Sequence, residues 1–286
     1  MTSTPTAAVD SDTLERCLSV LGHRPSAVIT DIDGTISAIA PTPADALVTD
    51  VAREALTALA DRLALVGVVT GRSAAVGEAM VAVPGLVYIG NHGMERVHKG
   101  VVWHHPGAVA KADAIGAALR EIGAEAATED WFDGVVIEDK RLSGSVHYRL
   151  VPDSAPARDV LLRLANEAAA RHDLLVTEGR QIVELRPRIV VNKGTAIRGL
   201  VEEFDLGGLI FLGDDLTDVD AFREVRVLRE EGRIEGLRVA VLAAETQPEV
   251  FAESDVTVKG VGACVALLAA VADAVAFDDG HGANPG

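Results

Sequence analysis

Asp31 and Asp33 are two carboxylates at i and i+2 that end an apolar, β-branched run and are followed at once by Gly34 and Thr35. The run, Ala27-Val28-Ile29-Thr30, reads as a buried parallel strand opening into a loop at its carboxyl end, the place where open α/β sheets bind ligands. Two aspartates so spaced suit metal-assisted attack on phosphorus. Asp31 would be the covalent nucleophile, and a Mg²⁺ held by hard oxygen ligands would offset the like charges and orient the phosphate. Asp33 could protonate the leaving oxygen and later take a proton from the hydrolytic water. Gly34 and Thr35 would give a tight turn, backbone N–H groups and a hydroxyl for phosphate oxygens. A plain Asx-turn after a strand would also place Asp at these positions, so the rest of the chain has to decide.

Three more stretches carry matching chemistry. Leu63 to Thr70 is a second buried-strand run, and it ends in Thr70-Gly71-Arg72, where the Thr70 hydroxyl could hold a phosphate oxygen. Asn192-Lys193-Gly194-Thr195 opens a helix, placing an ammonium beside free helix N–H groups, where an anion would sit. The macrodipole disfavours a lysine there, which points to function. Leu209 to Leu212 is another strand run, ending in Gly213-Asp214-Asp215-Leu216-Thr217-Asp218-Val219-Asp220. Acids so crowded repel one another unless solvated or shared with a cation, and Mg²⁺ facing Asp31 is the economical explanation. The candidate metal ligands are therefore Asp31, Asp33, Asp214, Asp215 and Asp218. A helix N-cap cluster is the plainer alternative.

The elements that must position these residues follow a βαβα rhythm. Helices are expected over Ser11–Leu21, Asp50–Leu59 and Ala74–Ala82, and a third strand, Leu86 to Ile89, closes on Gly90-Asn91-His92-Gly93-Met94-Glu95. Gly71, Arg72, Asn91 and His92 join the candidate substrate-binding residues, although a turn or packing role would account for His92 alone. From about His104 the pattern changes to a helix (Ala108–Ile122), a hairpin, a helix (Ala155–Arg171) and a second hairpin. Glu138, Lys140, His147, Arg149 and Glu184 stand on its otherwise apolar strands. They could bind sugar hydroxyls, or mark the wet side of an antiparallel sheet. The expected fold is α/β, a Rossmann-like parallel-sheet core with an inserted α+β cap. The core comprises 1–104 and 187–286 and the cap 105–186, with hinges near 102–107 and 186–191. Val239–Val241 and Val256–Val258 complete the sheet, and the ends, 1–12 and 278–286, are expected to be disordered.

The 286 residues are 49% apolar but only 3% aromatic, as for helices packed on a β-branched sheet. A net charge of −17 argues against nucleic acid or an anionic membrane as partner. No apolar run is counted long enough to span a membrane and the start lacks a secretory pattern, so a cytoplasmic location is expected. Cys17 and Cys264 have no partner spacing and read as buried apolar residues. No obligate protein partner is evident.

The ordered series Asp31-Ile32-Asp33-Gly34-Thr35, Thr70-Gly71-Arg72, Lys193-Gly194 and Gly213-Asp214-Asp215 with Asp218 resembles the four motifs of the haloacid dehalogenase superfamily of phosphatases. The resemblance implies that Asp31 is nucleophile, Asp33 acid/base, Thr70 and Lys193 phosphoryl ligands, and Asp214 with Asp215 or Asp218 the Mg²⁺ anchor. It also implies a C2-type cap. Gly90-Asn91-His92-Gly93, Glu138-Asp139-Lys140, Ser145-Val146-His147-Tyr148-Arg149, Val183-Glu184-Leu185-Arg186-Pro187 and Gly213 to Phe222 together look like the trehalose-6-phosphate phosphatases. That family hydrolyses trehalose 6-phosphate to trehalose and phosphate. Its cap acids and lysine grip the distal glucose, here Glu138, Lys140 and Glu184. Val219 stands where an acid is usual, and Ile32 and Ile36 where Phe and Leu are common, none of them at a proposed ligand. A stand-alone phosphatase is expected. The alternatives are a phosphatase of another sugar phosphate, such as glucosyl- or mannosyl-3-phosphoglycerate or sucrose phosphate, and a catalytically silent sugar-phosphate sensor.

Overall fold

The computed structural model describes residues 9–281. They divide into two compact units: one formed by the chain up to residue 39, 46–102 and from 191 onward, the other by 40–45 and 103–190. Along the chain come α1 (Ser11–Leu21), β1 (Ser26–Thr30), α2 (Asp50–Ala60), β2 (Leu65–Val69), α3 (Ala74–Val81), β3 (Val87–Gly90), β4 (Glu95–His98) and β5 (Val101–His104). Next are α4 (Pro106–Val109), α5 (Ala112–Ala126), β6 (Val136–Asp139), β7 (Gly144–His147), α6 (Ser154–His172), β8 (Leu174–Gly179) and β9 (Ile182–Pro187). The chain closes with α7 (Lys193–Glu203), β10 (Gly208–Gly213), α8 (Leu216–Glu230), β11 (Glu235–Leu242), α9 (Pro248–Ala252), β12 (Val256–Lys259) and α10 (Gly260–His281).

The first unit holds an eight-stranded sheet in the order β12-β11-β10-β1-β2-β3-β4-β5. Its strands from β12 to β3 pair in parallel, and β4 turns back antiparallel on β3. Helices cover both faces, so the central strands are apolar throughout rather than alternating. Val28 of β1 faces a core shared with α1, α2 and α10, while Ala27 and Ile29 face one shared with α7 and α8. The chain leaves β1 toward β2 on one side and returns through β10 on the other. The crevice at the carboxyl end of β1 is therefore a topological switch point, where ligands bind in such sheets.

The second unit is a four-stranded antiparallel sheet, β6-β7-β9-β8, with α5 and α6 on one face. Val146, Val183 and Leu185 point into the core with those helices. By alternation Ser145, His147 and Glu184 occupy the other face. Residues 40–45 group with this unit, where Arg149 Nη1 donates to the Ala40 carbonyl at 2.6 Å.

Several expectations need correction. The helix expected from Ala108 to Ile122 is two, because Pro106 starts a short helix that ends at Val109 before α5 begins at Ala112. β4 and β5 add two strands to those expected: each is four residues long, too short to show a period. Gly260–Phe277 of α10 is long and apolar enough to cross a membrane, contrary to the count from sequence, since Asp273 alone interrupts it. In the fold its Cys264, Leu267, Leu268, Val271 and Val275 pack into the core. The ends expected to be disordered lie mostly outside the described residues. Within them Asp10 caps α1 and α10 runs to His281.

Candidate active site

Asp31 follows the last residue of β1, and its N–H still pairs with Leu212 O of β10 at 2.9 Å, which fixes the carboxylate at the sheet edge. The next turn winds around one acceptor: the N–H groups of Thr35, Ile36 and Ser37 all donate to Ile32 O, at 3.2, 3.0 and 2.9 Å. Ile32 and Ile36 anchor that turn in the core. Gly34 sits at φ +84°, and a Cβ there would come within 2.0 Å of Asp214 Oδ2, so the β1 and β10 loops can meet only over a glycine. The Thr35 hydroxyl donates to Asp214 Oδ1 at 3.1 Å.

The charged centre is buried. Lys193, the first residue of α7, lies 3.2 Å from Asp31 Oδ1 and donates to Asp218 Oδ1 at 2.7 Å. The Asn192–Thr195 capping box sets the helix start from which it reaches. Asp218 is 0% exposed, and its Oδ2 accepts the N–H groups of Asp214 and Asp215 at 3.0 and 3.1 Å. It therefore aims Lys193 and shapes the β10 loop at once. Oxygens of Asp31, Asp214 and Asp218 lie within 4.8 Å of one another. Burial pushes the Asp31 carboxyl up to about 7, Lys193 pulls it back, and Asp218 and Asp33 push it further. For Lys193, burial opposes the charge, but Asp218 and Asp31 outweigh it and hold the ammonium above its ordinary value.

Three buried carboxylates gather round one lysine, and the donors are hard oxygens. The set fits a divalent cation such as Mg²⁺. Asp33 and Asp215, also named from sequence, stand outside it. Asp215 is the N-cap of α8, sharing a capping box with Asp218 and accepting from Leu216 N at 2.8 Å. The helix-cap reading holds for Asp215, and Asp218 belongs both to its capping box and to the carboxylate cluster. Asp33 is gripped by Arg72, whose Nε and Nη2 donate to its two oxygens at 2.6 and 2.8 Å.

Arg72 belongs to the loop after β2, where the Thr70 hydroxyl accepts from Arg72 N at 3.2 Å. That loop is laced to the one after β3: Thr70 N donates to Ile89 O, His92 N to Thr70 O and Asn91 N to Arg72 O. The His92 ring packs against Gly71, where a Cβ would approach it to 2.7 Å.

In the second unit, four of the five polar residues named from sequence form two pairs. Lys140 Nζ donates to Glu184 Oε1 at 3.0 Å, and His147 Nε2 lies 3.0 Å from Glu138 Oε2. Arg149 is drawn elsewhere, to the carbonyls of Ala40 and Arg180. Two residues escaped the sequence reading. Ser143 has its hydroxyl 3.4 Å from Glu184 Oε1, and Glu95 is a buried acid at the start of β4.

The trehalose-phosphatase family profile matches residues 29–256. A trehalose-phosphate phosphatase of Mycobacterium avium is 37% identical over 228 residues, covering 77% of this chain and 56% of that protein. An uncharacterized glycosyl hydrolase of Mycobacterium tuberculosis is 40% identical over 222 residues, covering 74% of this chain and 16% of that protein. The chain thus spans little more than half the length of the phosphatase and far less of the hydrolase. The C-terminal domain of Candida albicans trehalose-6-phosphate phosphatase matches with a TM-score of 0.76 at 20% identity, over 95% of this chain and 99% of that one. The C-terminal domain of the Candida albicans trehalose synthase regulatory protein matches with a TM-score of 0.67 at 13% identity, over 89% and 97%. At such identities the likeness is one of fold.

Proposed function

The chain belongs to the trehalose-phosphatase family, and from that premise we propose that it hydrolyses trehalose 6-phosphate to trehalose and phosphate through an aspartyl-phosphate intermediate. The observation that carries the proposal is Asp31, buried at the sheet's ligand-binding edge 3.2 Å from Lys193, with Asp33 two residues on in the fork of Arg72.

A carboxylate oxygen of Asp31 attacks phosphorus as the bond to the sugar oxygen breaks, and Asp33 gives that oxygen its proton. Asp33 then takes a proton from the water that attacks the aspartyl phosphate, which releases phosphate and restores Asp31. Lys193 offsets charge on the phosphoryl oxygens, and the Thr70 hydroxyl donates to one of them. Arg72 fixes the direction of Asp33. Mg²⁺ would be held by Asp31 and Asp214 within the carboxylate cluster, and when bound it neutralises and orients the phosphate. In the second unit Glu138, Lys140, His147 and Glu184 supply the donors and acceptors that select the sugar.

The fold alone does not separate an enzyme from a sensor, since it is shared with a protein described as regulatory. The pairing of a buried Asp31 with Asp33 favours the enzyme, because a sensor gains nothing from a nucleophile and its acid/base. The test is Mg²⁺-dependent phosphate release from trehalose 6-phosphate, glucose 6-phosphate, sucrose 6-phosphate, glucosyl-3-phosphoglycerate and an aryl phosphate. A preference of ~100-fold for trehalose 6-phosphate, about 2.7 kcal/mol of transition-state discrimination, is expected. Equal, low rates on all would sink the sugar assignment and keep the chemistry. No release from any would favour the sensor.

A further inference from the structure

Glu95 is a buried carboxylate for which the reaction above has no use. Its Oε1 accepts the N–H of Ala74 at 2.6 Å and Asn91 Nδ2 at 2.8 Å. The two donors sit in different loops. Ala74 is the first residue of α3 and follows the Thr70–Ser73 turn, while Asn91 belongs to the turn between β3 and β4. Ser73 caps α3 through Val76 N, which leaves the Ala74 N–H, one of the helix's orphan donors, to Glu95. A carboxylate is also the charge that a helix N-terminus favours.

Two features show that this contact is built in. Asn91 and His92 both have positive φ, 47° and 57°, a conformation uncommon outside glycine that Asn and His adopt more readily than most residues, and it turns the loop back toward Glu95. At Gly90, a Cβ would come within 2.1 Å of Ala74 N and 2.7 Å of Glu95 Oε1, so the loops close over Glu95 only with glycine there. Beyond the carboxylate, Asn91 N holds Arg72 O at 2.7 Å and His92 N holds Thr70 O at 3.0 Å. Through Asn91 and the start of α3, Glu95 thus reaches Thr70 and Arg72, and through Arg72 the side chain of Asp33.

We propose that Glu95 is a positioning residue that locks the β2 and β3 loops together and so sets Thr70 and Arg72 for phosphate and for Asp33. This rests on the phosphatase reading, but its main test does not need turnover. The probe is inorganic phosphate with Mg²⁺, titrated calorimetrically into the wild type, Glu95→Ala and Glu95→Gln at a temperature where each is fully folded. Glu95→Ala should weaken phosphate binding about 10-fold and lower kcat on an aryl phosphate by about 10- to 100-fold, the scale of a small misplacement of reacting groups. Glu95→Gln keeps a carbonyl oxygen for both donors and should recover most of each.

Wild-type phosphate affinity in Glu95→Ala, or failure of the wild type to bind phosphate at all, would overturn the proposal. An inactive wild type that binds phosphate, with weakened binding in Glu95→Ala, would sink the phosphatase reading and uphold Glu95. If Glu95→Ala does not fold, Glu95→Asp keeps the charge while drawing it back by one methylene, and equal phosphate affinity in that variant would likewise overturn the proposal.

Discussion

The carboxylates between β1 and β10 and the polar face of the four-stranded sheet are both dense in charge, yet they balance it differently. In the first, Asp31, Asp214 and Asp218 surround one lysine, all of them buried. In the second, Lys140 answers Glu184 and His147 faces Glu138. A charge taken out of water is costly unless paired. The Lys140–Glu184 pair can exchange a partner for a neutral hydroxyl, whereas three carboxylates gathered round one lysine suit a cation that shares them. The two regions thus differ in how many acids share each cation.

The contrast can be broken first at Asp31. Asp31→Asn should lower turnover by ~10⁴-fold or more while circular dichroism and melting stay those of a folded protein, since it removes the proposed nucleophile and keeps its shape. Wild-type turnover would mean another nucleophile. Lys193→Met tests the balance itself. Without the ammonium the cluster loses the cation that Asp31 and Asp218 share, and urea unfolding should show a loss of about 3–5 kcal/mol. A loss below about 1 kcal/mol, the worth of a surface pair, would mean that the cluster does not depend on its lysine. On the sheet face, Glu184→Gln should lower kcat/KM for trehalose 6-phosphate by about 10- to 100-fold and leave an aryl phosphate unaffected. An equal fall on both substrates would place Glu184 in the fold rather than in sugar selection.

The sequence reveals the strand ends well and their partners poorly, for a physical reason. An apolar run that stops at a polar turn is a local pattern, and that pattern alone assigns Asp31, Thr70 and Asp214 to the edge of one sheet. Which atom each side chain meets is decided by tertiary contact. Arg72 finds Asp33 across 39 residues, Thr35 finds Asp214 across 179, and Arg149 is spent on Ala40 across 109. Residue type fixes what such groups can donate or accept, and only packing decides to whom. Asp215 shows the reverse. Its plainer reading, a helix cap, follows from its position just before Leu216 and is what the structure has.

The smallest effect concerns pH and sharpens the same comparison. Burial pushes the Asp31 carboxyl from 3.8 up to about 7, so the folded protein holds a proton that the unfolded chain releases near pH 4. For a group raised on folding, the stabilisation is complete below the unfolded value and disappears as pH rises through the folded one. With cations chelated, stability should thus decline between about pH 4 and pH 7, on top of the contribution of other groups. Asp31→Asn should flatten that decline. Saturating Mg²⁺ should oppose it by binding the folded carboxylates and not the unfolded chain. Urea denaturation at several pH values, with chelator or Mg²⁺, separates these cases. A slope that Asp31→Asn leaves intact would show that the charge of Asp31 is already matched in the cation-free protein, and the contrast between the two regions would be lost.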